Sequence, residues 1–107
     1  MRPATPLLSA VVPFLNEQES LPELFHSLEL HLGALGLPWE LVLVDDGSTD
    51  RSLEVVQREI RDRPELKTTV LVLSRNFGKE AALTAGLEAC RGDVVVPLDA
   101  DLQDPQS

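Results

Sequence analysis

The chain has 107 residues, a formal net charge of −9, and a composition that is 43% hydrophobic and 25% charged. That balance is globular and argues against disorder, and no apolar run approaches the ~18–20 residues of a membrane span. A net-acidic chain repels nucleic acid, whose binding draws on Lys and Arg neutralising phosphates, so no nucleic-acid partner is expected.

At this length a compact chain has a radius of gyration of roughly 13 Å, room for one core, so residues 1–107 are read as one domain or part of one. Cys90 is the single cysteine, which excludes an intrachain disulfide, and nothing in the chain resembles a Cys/His zinc pattern. Pro3, Pro6 and Pro13 break the apolar start that a signal peptide needs. A cytoplasmic location is the expectation. Charge is uneven: residues 67–91 form the one net-positive stretch, and residues 92–107 carry only acids.

Four short apolar runs recur with helical stretches between them. Leu7 to Phe14, Leu41 to Val44, Val70 to Leu73 and Val94 to Leu98 are rich in Val and Leu without polar alternation. Such runs read as parallel strands buried on both faces. After the first, Leu21, Leu24, Phe25, Leu28, Leu32 and Leu35 keep helical spacing, with Ser20-Leu21-Pro22-Glu23 as a capping box and Gly36 and Pro38 as the stop. After the second, Ser48, Thr49 and Asp50 are N-cap candidates for a helix that turns Leu53, Val56 and Ile60 inward and ends before Pro64. After the third, a helix over roughly Lys79 to Cys90 carries Ala81, Ala82, Ala85, Gly86 and Ala89, small enough to lie close to a sheet, and Gly92 reads as its C-terminal stop. His26 and His31 fall on the first helix and read as surface residues, Trp39 as packing at the second strand's start, and Cys90 as a small buried apolar residue. The β-α-β-α-β-α-β pattern with short connections predicts an α/β fold, a doubly wound parallel sheet with right-handed crossovers.

The chemistry-bearing residues cluster after the strands. Asp99 and Asp101 lie two apart at the end of the fourth strand, so in extended backbone both project the same way and could share one Mg²⁺ or Mn²⁺, with Gln103 adding a carbonyl oxygen. A solvated acidic turn closed by Pro105 explains the same residues. Asp45 and Asp46 end the second strand, and adjacent carboxylates there need donors or cations, unless they simply cap the next helix. Ser74-Arg75-Asn76-Phe77-Gly78-Lys79-Glu80 puts two cations, an amide and a glycine at a strand-to-helix turn, where backbone amides favour phosphate; it is not a Walker P-loop, because Glu80 occupies the Ser/Thr position. Pro13, which cannot donate to a sheet ladder, marks where the first strand gives way to a loop holding Asn16 and Glu17, both compatible with ordinary N-cap roles. All four loops follow C-terminal strand ends, the edge at which parallel α/β sheets bind ligands.

Pro13-Phe14-Leu15-Asn16-Glu17, Val44-Asp45-Asp46-Gly47-Ser48-Thr49-Asp50, Arg75-Asn76-Phe77-Gly78-Lys79 and Asp99-Ala100-Asp101-Leu102-Gln103-Asp104-Pro105 together resemble the ordered motifs of family 2 glycosyltransferases. The last two resemble most closely the branch that moves a hexose from a nucleotide sugar to a polyprenyl phosphate, the dolichol-phosphate mannosyltransferase and GtrB-like enzymes. The resemblance runs from about Ser9 to Pro105. It implies a GT-A fold in which Pro13, Glu17 and Asp45 surround base and ribose with Asp46 in support. It places Arg75, Gly78 and Lys79 along the nucleotide, and gives Asp99, Asp101 and Gln103 the Mg²⁺ or Mn²⁺ that meets the diphosphate. Leu15 stands where many members have Tyr, and the chain contains no Tyr, so a ring contact to the nucleotide is lost or replaced and the base (UDP- or GDP-linked donor) stays open.

The implied reaction is a metal-dependent, inverting hexosyl transfer from the nucleotide sugar to the polyprenyl phosphate, with Asp99 and Asp101 as the catalytic carboxylates. A phosphate acceptor is already largely a dianion near neutral pH, with a second pKa of about 6, and so needs little general-base help. The family pattern also implies further strands, an acceptor site and membrane helices beyond this stretch. The expectation is therefore a truncated domain whose full-length parent works at the cytoplasmic face of a membrane. Two other readings stay open: a nucleotide-binding fragment without transferase activity, and a receiver-type phosphoacceptor domain using Asp45, Asp46, Asp99 and Lys79.

Overall fold

The computed structural model describes residues 5–101. Strands β1 (Leu8–Phe14), β2 (Trp39–Asp45), β3 (Lys67–Val72) and β4 (Val94–Pro97) alternate with helices α1 (Leu21–Gly33), α2 (Ser52–Arg61) and α3 (Lys79–Ala89). All strand pairs are parallel, in the order β3-β2-β1-β4. The chain therefore steps outward from β1 through β2 to β3, then returns to the other side of β1. Right-handed crossovers put helices made on the outward path on one face and the helix of the return path on the other.

Packing follows that rule. Ala10, Val12 and Phe14 of β1 with Leu41 and Leu43 of β2 meet Leu21, Leu24, Phe25 and Leu28 of α1 and Val55 and Val56 of α2. Each fully buried Leu or Phe there contributes on the order of 1.5–3 kcal/mol relative to exposure. Arg63 ties the two helices, with Nη1 2.6 Å from Glu59, Nε 2.9 Å from Glu29 and its guanidinium over the Phe25 ring. On the opposite face α3 lies against β1 and β2. A Cβ built on Gly86 would stand 2.5 Å from Val11 Cγ1 and 3.0 Å from Val44 Cγ2, so only glycine allows this approach.

Several sequence expectations shift in detail. Only β1 and, beyond the half-buried Trp39, β2 are buried along their length; among the described residues β3 and β4 are the edge strands, and Val72 and Val94 remain exposed. β3 also starts three residues earlier than its apolar run, because Lys67, Thr68 and Thr69 pair with Glu40, Leu41 and Val42. An edge strand with one wet face tolerates such alternation.

The capping box at Ser20 does not form: Ser20 is itself helical, its side chain caps nothing, and α1 starts instead on Pro22 near its first position. Leu35 lies past the helix end and is exposed. Helix α2 begins later than the Ser48–Asp50 expectation, with Arg51 at the N-cap. Asp50, one residue earlier, still accepts a hydrogen bond from the Ser52 amide at 2.8 Å.

Gly92 is not a left-handed helix stop, since α3 ends on extended Cys90, which is half-buried rather than buried. Gly92 is needed for proximity: a Cβ there would collide with Ser9 and the Leu7 carbonyl. Its amide donates to Ser9 Oγ (2.7 Å), which donates to buried Glu40 (2.5 Å), and Glu40 also accepts from the Arg91 amide (2.7 Å). This network anchors the α3–β4 connection at the edge of the sheet remote from the strand-end loops.

Candidate active site

The return of the chain to the far side of β1 creates a switch point between the C-terminal ends of β1 and β4. Neighbouring loops must diverge there, and an open α/β sheet forms its crevice in that gap. Here a cavity of about 540 Å³ opens at that position. Its walls include Pro13, which lies within β1 and is paired with Val44 rather than marking the strand's end, Leu15 and Glu17 after β1, Asp46 after β2, Asn76, Gly78 and Lys79 before and on α3, and Asp99, Ala100 and Asp101 after β4.

Two hydrogen-bonded assemblies hold these walls. The first joins the loop after β1 to the loop after β2. Asn16 Oδ1 accepts from the amides of Thr49 (2.8 Å) and Asp50 (3.1 Å), and the Asn16 amide donates to Ser48 Oγ (2.9 Å). The Glu17 amide donates to Ser52 Oγ (2.7 Å), and the Arg51 amide to Gln18 Oε1 (2.8 Å). Asn16 takes φ 54°, a left-handed conformation that Asn tolerates better than other non-glycine residues. Asp45, buried at the end of β2, accepts from the Ser48 amide at 2.8 Å and so closes its own turn. Desolvation pushes Asp50 up, but the Ser52 hydroxyl and amide and the Gln18 amide outweigh it and hold its carboxyl below the usual range.

The second assembly joins the loop after β2 to the start of α3. Asp46 is 4% exposed, and its two oxygens accept from the amides of Phe77 (2.9 Å) and Gly78 (3.2 Å). The sequence marks this turn as a place where amides meet phosphate; two of those amides are already taken by an internal carboxylate. Gly47 makes the contact possible. It has φ 89°, and a Cβ on it would lie 2.6 Å from the Asn76 amide nitrogen, a backbone atom that cannot swing aside.

The cavity is acidic with a single cation among its described walls. Lys79 Nζ lies 2.5 Å from Asp99 Oδ1, and both side chains are largely exposed. The hydrogen bond and charge of Asp99 push the Lys79 ammonium above its ordinary value, so it stays protonated at neutral pH. Burial pushes the Glu17 carboxyl up; a Ser20 hydrogen bond opposes this, and repulsion from Asp101, Asp50 and Asp99 adds to it.

Among the described residues no three His, Cys, Asp or Glu side chains converge into a self-sufficient metal site. Asp99 and Asp101 nevertheless offer two hard oxygen ligands at the rim of an open cavity. That is the donor set suited to a small divalent cation that completes its octahedron with water and substrate phosphate.

Of the residues singled out from sequence, Pro13, Glu17, Asp46, Gly78, Lys79, Asp99 and Asp101 line this one cavity. Asp45 and Arg75 are not among its walls: Asp45 is committed to its turn, and the exposed Arg75 sits with its guanidinium 4.9 Å from the Phe77 ring centre. Gln103 lies outside the described residues. Asn76 and Leu15 also line the cavity, and Asn16 bridges its loops. Their motifs are visible in sequence, but their contacts depend on which loops the sheet order makes neighbours.

The sequence profile of glycosyl transferase family 2 matches residues 9–107. The chain belongs to glycosyl transferase family 2. Among its curated relatives, the undecaprenyl-phosphate 4-deoxy-4-formamido-L-arabinose transferase of Pseudomonas paraeruginosa is 48% identical over 99 residues, and that of Pectobacterium carotovorum is 46% identical over 98. In both cases 92% of this chain is covered, and it spans 29% and 30% of those relatives' lengths. Among solved structures, the mannosyltransferase PcManGT of Pyrobaculum calidifontis, in complex with GDP-Man and Mn²⁺, superimposes with a TM-score of 0.81 at 30% identity. That match covers 91% of this chain and 28% of PcManGT. S. aureus TarS 1-349 in complex with UDP gives 0.73 at 31% identity, over 88% of this chain and 27% of TarS. The family 2 chain thus has the GT-A architecture expected from its motifs, and the family assignment sets aside the receiver-type alternative.

Proposed function

We propose that this chain is the donor-binding part of a glycosyltransferase that moves a sugar from a nucleotide donor to a polyprenyl phosphate. The observation that carries the reading is the convergence of four strand-end loops on one cleft in a family 2 chain. Its undecaprenyl-phosphate transferase relatives supply the acceptor class, and the Mn²⁺–GDP-Man complex of PcManGT supports a metal-assisted donor site.

In this reading the C-terminal ends of β1 and β2 and the loop after β1 accept the nucleoside, with Pro13 and Glu17 along it and Asp45 and Asp46 holding the surrounding loops. Lys79 offers an ammonium to the diphosphate, and Asp99, Asp101 and Gln103 would hold a Mg²⁺ or Mn²⁺. Such a cation supplies Lewis-acid stabilisation of the negative charge that grows on the leaving diphosphate. A phosphate oxygen of the acceptor attacks the anomeric carbon as the bond to the nucleoside diphosphate breaks, inverting that carbon. Because the acceptor resides in a lipid bilayer, the parent protein works at a membrane surface. No helix among the described residues is long and apolar enough to cross one.

The test is Asp101→Ala in the full-length protein, assayed for transfer to a polyprenyl phosphate at saturating Mn²⁺. Near-complete loss of transfer is expected; undiminished transfer would contradict the assignment.

A further inference from the structure

Lys79 opens α3, and its side chain reaches Asp99, a residue placed by a different strand. The two belong to a cavity that also presents Glu17, Asp46 and Asp101, so one ammonium faces four carboxylates. Asp46 is compensated separately by two backbone amides. Glu17, Asp99 and Asp101 are left with Lys79 as the cation among the described cavity walls. An ammonium in hydrogen-bond contact with Asp99 occupies a ligand position of the same carboxylate that would hold a divalent ion.

We propose that Lys79 is an internal stand-in for the divalent cation, neutralising Asp99 in the donor-free protein and released from it when the metal arrives with the donor's diphosphate. This rests on the function proposed above. Exposure of both partners sets the strength. At 68% and 60% exposed, such a pair is screened by water and weak enough to be displaced. The released ammonium sits on a four-carbon stem and finds a new anionic partner in the diphosphate. Metal alone must break the pair without that compensation; metal with diphosphate does not. Binding of the two is therefore coupled, and by linkage the coupling runs both ways.

The experiment titrates Mn²⁺ alone, without nucleotide, into the wild-type chain and into Lys79→Met, Lys79→Gln and Asp101→Asn, following free Mn²⁺ by electron paramagnetic resonance, with circular dichroism as a check on folding. Removing the competing ammonium is expected to tighten Mn²⁺ binding by up to about fivefold, the equivalent of ~1 kcal/mol, in both Lys79 variants, while Asp101→Asn weakens it. Lys79 variants that bind Mn²⁺ no more tightly than wild type, while Asp101→Asn still weakens binding, would overturn the stand-in and leave the metal site standing. Absence of Mn²⁺ binding in every protein would overturn both.

Discussion

Asp46→Ala is the sharpest probe of how the cleft is built. The substitution removes a 4%-exposed carboxylate that accepts two backbone amides, from Phe77 at 2.9 Å and Gly78 at 3.2 Å. Hydrogen bonds to a charged partner are worth about 1.5–3 kcal/mol each. Phe77 is half exposed, and water can reach part of what is lost, which pulls the sum down to roughly 2–4 kcal/mol. For a domain of about this size, 1 kcal/mol moves Tm by roughly 4–8 °C, so even the lower bound predicts a fall of about 8–16 °C. Thermal unfolding followed by circular dichroism reads it directly. The start of α3 should also lose its hold, so Lys79 and Asp99 should separate and donor affinity should fall with stability. A Tm within 3 °C of wild type would refute the argument that Asp46 clamps this turn, because that small a loss corresponds to less than ~1 kcal/mol.

Three further outcomes follow from neighbouring geometry. Asn16→Gly should lose about 1–2 kcal/mol by urea unfolding through the missing bonds to Thr49 and Asp50, and Asn16→Ala about 1 kcal/mol more because Ala resists φ 54°; an Ala variant as stable as the Gly variant would disprove the backbone argument. Gly86→Ala gains about 1 kcal/mol of helix propensity but forces a Cβ to within 2.5 Å of Val11, a strain of about 1–3 kcal/mol, so the same unfolding assay should show no gain and a loss of up to ~2 kcal/mol; a clear stabilisation would mean α3 is free to lift from the sheet. Burial and neighbouring acids raise the Glu17 value in the folded state, so its charge costs stability above that value, and the cost disappears as pH falls through the ordinary carboxylate range. Glu17→Gln should therefore have a higher Tm than wild type at pH 7 and lose the advantage below about pH 4, whereas a constant difference across that range would exclude the electrostatic cause.

The alternation of strands and helices is readable in the sequence because each element's periodicity is local. Val42 and Val44 must be strand residues sealed on both faces, and Leu21, Leu24, Phe25 and Leu28 must share a helical stripe. The edges are harder. Nothing in the Val-Leu run at 70–73 signals that β3 takes in the polar Lys67, Thr68 and Thr69, since that depends on its pairing with β2.

The site divides the same way. The acidic pair Asp99 and Asp101 and the turn around Gly78 are visible as motifs, and strand-end position suffices to bring them together. The fate of each polar atom is not local. Asp46 spends both oxygens on the Phe77 and Gly78 amides just before α3, which the sequence leaves available to phosphate, and Lys79 spends its charge on Asp99. Asn16 looks like a cap and is a bridge, because the residues it binds lie more than thirty positions away on a loop that only the β1–β2 pairing brings near. Gly92 looks like a helix stop and is a spacer for the same reason.

In the proposed donor site, the carboxylates after β4 would grip a cation that in turn grips a donor's diphosphate. Isothermal titration calorimetry of the purified chain with GDP-mannose and with UDP-glucose, each with and without Mn²⁺, tests it most directly. Binding of at least one donor is expected to depend on Mn²⁺ and to be lost in the Asp99→Asn, Asp101→Asn double variant. Donor binding of equal strength with and without the metal, unchanged in that variant, would contradict it.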